Sequence, residues 1–426
     1  MSKSSDPGHF FQTSYAPPQP QSPSNATDPL LFRRTSLSES NRKSLKSTNT
    51  HGDPVTLSSK LLAIHPSPSS PTEFYVALSS GVVVLLSLST GKTLRTFRGP
   101  ITPLTSIAVS SSASLPTTLY AGSWDKTIWS WRIPTGEPGL RFRGHTDFVK
   151  AVLFVSVAER STSGERQTRD LLLSASADAT IIVWDAVDAT RLHVLTGHAR
   201  GVQTLVLDPF AVDDNDDDDD HVTIFSGGSE REIRRWRINA SAAMEMVDEH
   251  SERLATMHET SVYALHFDSG GDLWTASADR TAKRAIRERG WAVDTVLEHP
   301  DFVRDVLVIE KLGIIVTACR DEDVRVWDQA SGELRWVWRG HWEEVTALAV
   351  REDGKGCVSV SLDGTVRKWG LTDGDIEQGR RDEEREQKRI GNGGATEDED
   401  QGEDQPDAIK MTAEEESELA ELIANE

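Results

Sequence analysis

The sequence predicts an all-β fold assembled from seven copies of one unit, flanked by two tails that carry no core. Three observations predict it. A pattern of small residues leading to an acid, with Trp six positions after the acid, recurs through residues 76–370. A second landmark, His or its substitute, follows the Trp position by fourteen residues in five of the copies. The base period is 42 residues, read from Asp279 to Asp321 to Asp363, and such self-similarity marks a repeat architecture.

In chain order, the first copy (76–87) is decayed, with Ser80 and Leu86 at the acid and Trp positions. The second (121–132) has Asp125 and Trp131, and the third (174–185) Asp178 and Trp184. The fourth (226–237) carries Glu230 for Asp, followed by Trp236. The fifth (275–286) keeps Asp279 but has Ala285 for Trp. The sixth and seventh (317–328 and 359–370) are complete, with Asp321 and Trp327, then Asp363 and Trp369. Between Trp236 and His258 the step is twenty-two, so eight residues are inserted there. Segments such as VTALAV (345–350) and TIIVW are short, β-branched and alternating, as strands are.

Gly144-His145, Gly197-His198 and Gly340-His341, with Trp184-Asp185 and Trp327-Asp328, complete a pattern that resembles the WD-repeat family over residues 51–371. The resemblance implies a seven-bladed β-propeller of four-stranded antiparallel blades around a central channel. It also implies that His, Ser/Thr, Asp and Trp of one repeat form a buried hydrogen-bonded tetrad. The sets here are His145, Ser174, Asp178, Trp184; then His299, Thr317, Asp321, Trp327; then His341, Ser359, Asp363, Trp369. A buried carboxylate needs donors, and imidazole, hydroxyl and indole provide a mutually satisfying set. A His/Asp/Ser triple also evokes nucleophilic catalysis. Its recurrence in blade after blade argues for architecture, because an enzyme needs one site. On residue identity the ring is expected to be stiffest around repeats 3, 6 and 7. Repeat 7 ends without an outer strand, and the family pattern supplies that strand from the N-terminus, here expected around Arg42–Asn49.

By the same resemblance the d–a and b–c connections share one rim and the a–b and c–d connections the other. The long polar segments 66–72, 110–117, 156–170 and 213–220 are a–b loops on this reading, and 238–252 is a c–d loop. The opposite face then has short turns, where recognition residues are best preorganised. It would present Trp124, Lys126, Phe148, Lys150, Tyr263, Phe302, Arg304 and Arg320, with Arg231 and Arg280, against Glu322 and Glu344. Aromatics with Arg dominate binding hot spots, and Arg binds carboxylate and phosphate in a bidentate manner. The expected ligand is a peptide or protein segment, acidic or phosphorylated.

The formal charge of −22 is unevenly spread: residues 1–50 carry +3 and residues 372–426 carry −14, while seven Asp lie in 213–220. Residues 1–40 have the Ser/Pro-rich composition of disorder, with Ser36 in Arg33-Arg34-Thr35-Ser36 resembling a basophilic kinase site. Residues 372–410 read as an acidic low-complexity linker, and 411–426 as a short amphipathic helix with a Thr412/Glu415 capping box. Two cysteines, Cys319 and Cys357, make neither a disulfide framework nor a cysteine zinc site. No apolar run spans a bilayer, and no cofactor or metal motif occurs.

The expectation is therefore a non-catalytic interaction scaffold in the cytoplasm or nucleus, a monomeric subunit of a larger complex. Nucleic acid is disfavoured as a ligand because the propeller region is mildly acidic. The alternatives are a ubiquitin-pathway substrate receptor or ubiquitin-binding propeller, and an RNA-particle assembly factor. The Trp-Asp-x-Arg motif of ligase docking is missing, since Ala186-Val187 follows Trp184-Asp185 and Gln329-Ala330 follows Trp327-Asp328.

Overall fold

In the computed structural model the repeats form seven four-stranded antiparallel sheets. The described residues are 43, 46–110, 112, 117–160, 166–210, 221–248 and 251–392. The Asp run, Ser36 and the helix expected at 411–426 lie outside them. The chain divides into two units, residues 1–376 and 377–426. The first holds the propeller.

Blades 1 to 6 are each four consecutive strands, denoted a to d from the first to the last in the chain. Blade 2, for example, comprises Leu104–Val109, Thr118–Ser123, Thr127–Arg132 and Pro138–Arg143. Blade 7 takes three strands from the end of the repeat region and its d strand from Val55–Thr56, which pairs antiparallel with Thr365–Gly370. The closing strand is thus not Arg42–Asn49. In that region Lys46 and Ser47 are helical, and the following residues brace blade 7 from outside its ladder. The Arg367 guanidinium donates to the carbonyls of His51 and Asn49, and the Lys368 amide donates to the Gly52 carbonyl at 2.7 Å.

Apolar side chains on both faces of each sheet pack against the neighbouring blades. One such layer joins Val155, Leu171, Leu173 and Val183 of blade 3 to Val202, Ile224 and Trp236 of blade 4. Continuous burial on two faces is why the b and c strands read as nearly unbroken apolar or small-residue runs.

Two local devices repeat around the ring. Each a strand has a bulge at its second residue: Leu62, Thr105, Lys150, Gln203, Tyr263, Arg304 and Thr346 are skipped in the a–b register. A bulge leaves one residue unpaired and re-aims its side chain. The b–c turns place Gly81, Lys126, Ala179, Arg280, Glu322 and Gly364 at positive φ, between 67° and 79°.

The insertions differ from expectation in two places. Residues 156–170 are largely strand, because Val149–Arg160 and Arg166–Ser176 stay paired out to Arg160 opposite Arg166. The segment 238–252 is not one c–d loop. Its c–d turn ends by Ala242, the d strand Ala243–Glu245 is short, and the remaining insertion belongs to the d–a connection, with a helix at Ser251–Ala255 (α1).

The acidic stretch after blade 7 begins as helix Asp373–Asn392 (α2) rather than as linker. Thr372 and Asp375 cap it reciprocally: the Asp375 amide donates to Thr372 Oγ1 at 3.3 Å, and the Thr372 amide to the Asp375 carboxylate at 3.1 Å. In the second unit its exposed face carries Glu377–Arg381 and Asp382–Arg385 ion pairs, the i,i+3 and i,i+4 spacing that supports a polar helix.

Candidate functional site

The tetrad residues come together inside the blades. In blade 3, His145 Nε2 lies 2.7 Å from Ser174 Oγ and its Nδ1 lies 3.0 Å from Asp178, while the Trp184 indole donates to Ser174 at 2.8 Å. Blade 7 repeats this with His341, Ser359, Asp363 and Trp369. Burial holds these imidazoles below their usual range, with the partner carboxylates working in the opposite direction. Burial alone would raise Asp178, but donors from Thr180, the Thr146 amide and His145 bring it down to about 2. Every reactive-looking atom is committed to a neighbour in a closed network. Such a network braces the blade.

Blade 4 is complete despite its substitution. Glu230 reaches His198 Nδ1 at 2.5 Å, and Ser226 joins His198 and Trp236. Blade 6 departs from its predicted set. His299 and Trp327 both bond Thr317, but His299 Nδ1 faces the Leu297 carbonyl at 3.0 Å, and Asp321 is held in a fork by Arg325. Arg325 outbids the imidazole because its two parallel N–H bonds satisfy both carboxylate oxygens. The complete clusters are therefore in blades 3, 4 and 7, not in 3, 6 and 7.

Blade 5 lacks the Trp and compensates. Gly precedes His in blades 3 and 7 because the Trp covers it: a Cβ at Gly144 would meet Trp184 at 2.8 Å, and one at Gly340 would meet Trp369 at 2.8 Å. With Ala285 at the Trp position, Met257 occupies that place. Its Sδ lies 3.8 Å from Thr275 Oγ1, the hydroxyl that an indole would otherwise address. Met257 and Leu254 of α1 are buried in one cluster with Ala285 and Trp291. The insertion fills the space that the missing indole leaves.

Most of the predicted binding residues meet in three separate groups near the start of the a strands. Trp124 stacks on Phe148 with ring centroids 4.9 Å apart and 13° between planes. Lys150 Nζ lies 5.8 Å from the Trp124 ring centroid and 5.9 Å from that of Phe148. The Arg304 guanidinium lies 4.1 Å over Tyr263, and Arg320 lies 5.1 Å over Phe302. Such stacking fixes long side chains at modest energetic gain, about 0.5–2 kcal/mol each. Lys150 and Arg304 are bulge residues of blades 3 and 6. Burial, then the Arg304 charge, lowers the Lys150 ammonium to about 8, with Asp147 opposing. Lys126 is exposed at the b–c turn of blade 2 and joins no ring contact.

The two dissenting acids are neutralised from within. Glu344 lies 2.7 Å from Arg304 Nε. Glu322 lies 2.5 Å from Lys46, and the neighbouring Glu343 is 3.3 Å from Lys60 and 3.8 Å from Lys43. Among the described residues, by contrast, Lys126, Lys150, Arg231, Arg280 and Arg320 have no carboxylate partner. Sequence reasoning missed the N-terminal lysines, since nothing local places them against blades 6 and 7. It also missed Ile101, 95% exposed in the connection between blades 1 and 2. Its neighbour Pro103 accepts the Trp124 amide at 3.1 Å.

A family model described as WD domain, G-beta repeat matches residues 91–132, 136–185 and 332–370. A WD repeat-containing protein of Schizosaccharomyces pombe is 34% identical over 357 residues, covering 81% of this chain and 89% of its own. The nuclear distribution protein nudF of Aspergillus niger is 24% identical over 273 residues, covering 61% of this chain and 57% of its own. WD repeat-containing protein 37 of Xenopus laevis is 26% identical over 266 residues, covering 62% and 48%. The chain thus spans about half the length of the latter two.

Proposed function

The chain belongs to the WD-repeat family, and from that premise we propose that it is a non-catalytic interaction scaffold whose short-turn face binds a protein partner through an acidic or phosphorylated segment. Propellers of this family generally serve as interaction scaffolds, and the stacked, bulge-aimed side chains suit rigid presentation. The observation that carries the reading is the charge balance of one face: Glu322, Glu343 and Glu344 are ion-paired within the chain, whereas among the described residues Lys126, Lys150, Arg231, Arg280 and Arg320 carry no ion pair, five cations against the three acids Asp147, Glu259 and Asp301 that likewise have none. A chain of formal charge −22 that keeps unpaired cations beside half-buried aromatics on one surface is complementary to a negative partner.

The test compares partner sets captured by the wild-type chain and by a variant with Trp124, Phe148, Phe302 and Arg304 changed to Ala. Circular dichroism and urea unfolding establish that the variant is folded. Loss of a discrete partner set is expected. An identical set from a folded variant refutes the assignment to this face.

A further inference from the structure

The residue after the acid position is the tip of each b–c turn on the short-turn face. Gly81, Ala179 and Gly364 make three of these tips uncharged, Lys126, Arg231 and Arg280 make three cationic, and Glu322 is the one acid. It is also covered: the Glu322 side chain is 7% exposed, and Lys46 Nζ lies 2.5 Å from its carboxylate. Lys46 belongs to no blade and comes from 276 positions earlier in the chain. The same segment reaches the next acid of the face, since Lys43 lies 3.8 Å from Glu343, which Lys60 also approaches at 3.3 Å. An ion pair at a surface adds little to stability, yet it decides the charge the turn shows. After Lys46 the chain is anchored to blade 7, where Arg367 donates to the carbonyls of Asn49 and His51. Both lysines precede that anchor, so they can leave the acids while Val55–Thr56 still closes the ring.

Resting on the scaffold reading above, we propose that Lys46 and Lys43 are specificity-determining residues of the short-turn face: seated on Glu322 and Glu343 they make it select a negative segment, and lifted they hand it two acids that repel one. The adjoining residues carry the effect to the candidate site. Arg320, two residues before Glu322, holds its guanidinium 5.1 Å over Phe302. Two residues span at most about 7 Å, inside the Debye length of about 8 Å at physiological salt. A Glu322 carboxylate relieved of Lys46 therefore opposes any anion that Arg320 receives. Glu344, next to Glu343, lies 2.7 Å from Arg304 Nε, so the Lys43 side borders a second cation of the face. The preference for negative charge is thus set in part by a segment outside the repeats.

The probes are two fluorescein-labelled peptides, hexaglutamate and a peptide of three Gly-phosphoserine repeats, with binding read by fluorescence polarisation on the full chain at low salt. The Arg280→Gln/Arg320→Gln variant locates the probe and should weaken binding severalfold. Lys46→Gln should weaken it severalfold too, and adding Lys43→Gln should deepen the loss. Glu322→Gln in the Lys46→Gln background should restore wild-type binding or better, a gain that misfolding cannot mimic, and high salt should erase the differences. Binding of one peptide and not the other identifies the ligand as carboxylate or phosphoryl, and the lysines are judged on the one that binds. Binding that falls in Arg280→Gln/Arg320→Gln but ignores Lys46→Gln overturns the role of the lysines and leaves the face as the binding surface. A Lys46→Gln loss that Glu322→Gln does not restore has the same consequence. No binding of either peptide, or binding indifferent to Arg280 and Arg320, overturns the scaffold reading of this face and the proposal with it.

Discussion

The exchange of Trp for Met in blade 5 makes a quantitative prediction about how a propeller tolerates a lost tetrad member. Ala285→Trp reinstates the family residue, but Met257 is in the way, 5% exposed and packed in the same cluster. Forcing an indole into a filled core costs about 1–3 kcal/mol. Met257→Gly removes the obstruction and leaves a void, which for a buried Met truncated to Ala costs about 2–5 kcal/mol, with a further ~1 kcal/mol expected for the glycine backbone. The double variant restores the Gly-before-His and Trp arrangement seen at Gly340 and Trp369, where the indole donates to Ser359 at 2.7 Å. Thr275 Oγ1 would then accept the new indole N–H. The two changes should therefore be strongly non-additive, the double variant lying about 1–3 kcal/mol above the sum of the singles. Urea unfolding followed by fluorescence and by far-UV circular dichroism measures all four corners of the cycle. Additive losses would show that Met257 and the Trp position do not share one space, and the compensation argument would fail.

Other expectations concern the ring and its ionisation. Removing residues 1–42 should leave urea stability within about 0.5 kcal/mol of wild type. Removing residues 1–57 takes away Val55–Thr56 and the carbonyls that Arg367 uses, and should unfold blade 7 or lower the midpoint sharply. Asp305 bridges blades 6 and 7 by accepting the Val306 amide at 2.9 Å and the Leu348 amide at 2.8 Å. Asp305→Ala strands the latter donor and should cost about 1–3 kcal/mol in equilibrium unfolding. Burial lowers His299 to about 4. Its folded value lies below the unfolded 6.5, so its contribution is present above pH 6.5 and lost as pH falls toward 4, by about 2 kcal/mol at pH 5. Asp305, pushed up to about 6 by burial, has the opposite sign and loses stability as pH rises from 4 to 6. His299→Gln should flatten the acid limb of the stability curve below pH 6.5, and an unchanged slope would count against a buried neutral imidazole there.

The chain alone determined the number of blades, their order and most of the tetrad membership. Those follow from spacing: the step from the Trp position to the His position survives at Ala285 and Leu86 after the identities have drifted, because loop and strand lengths are fixed by geometry even where side chains are not. The types of residue on the short-turn face were also legible, since b–c and d–a connections are found by counting from the repeat.

What needed the tertiary structure were choices among partners far apart in the chain. Asp321 could have taken His299 or Arg325, and the forked bond to Arg325 decided it. Which N-terminal residues complete blade 7 depended on how the chain is braced by Arg367, not on local strand propensity, so Val55–Thr56 and not Arg42–Asn49 closes the ring. The charge of the candidate face was illegible for the same reason. Glu322 reads as a negative residue until Lys46, 276 positions away, is found against it. Periodicity is a local property that a linear chain records, whereas the pairing of polar groups is settled only when distant segments compete for the same donor or acceptor.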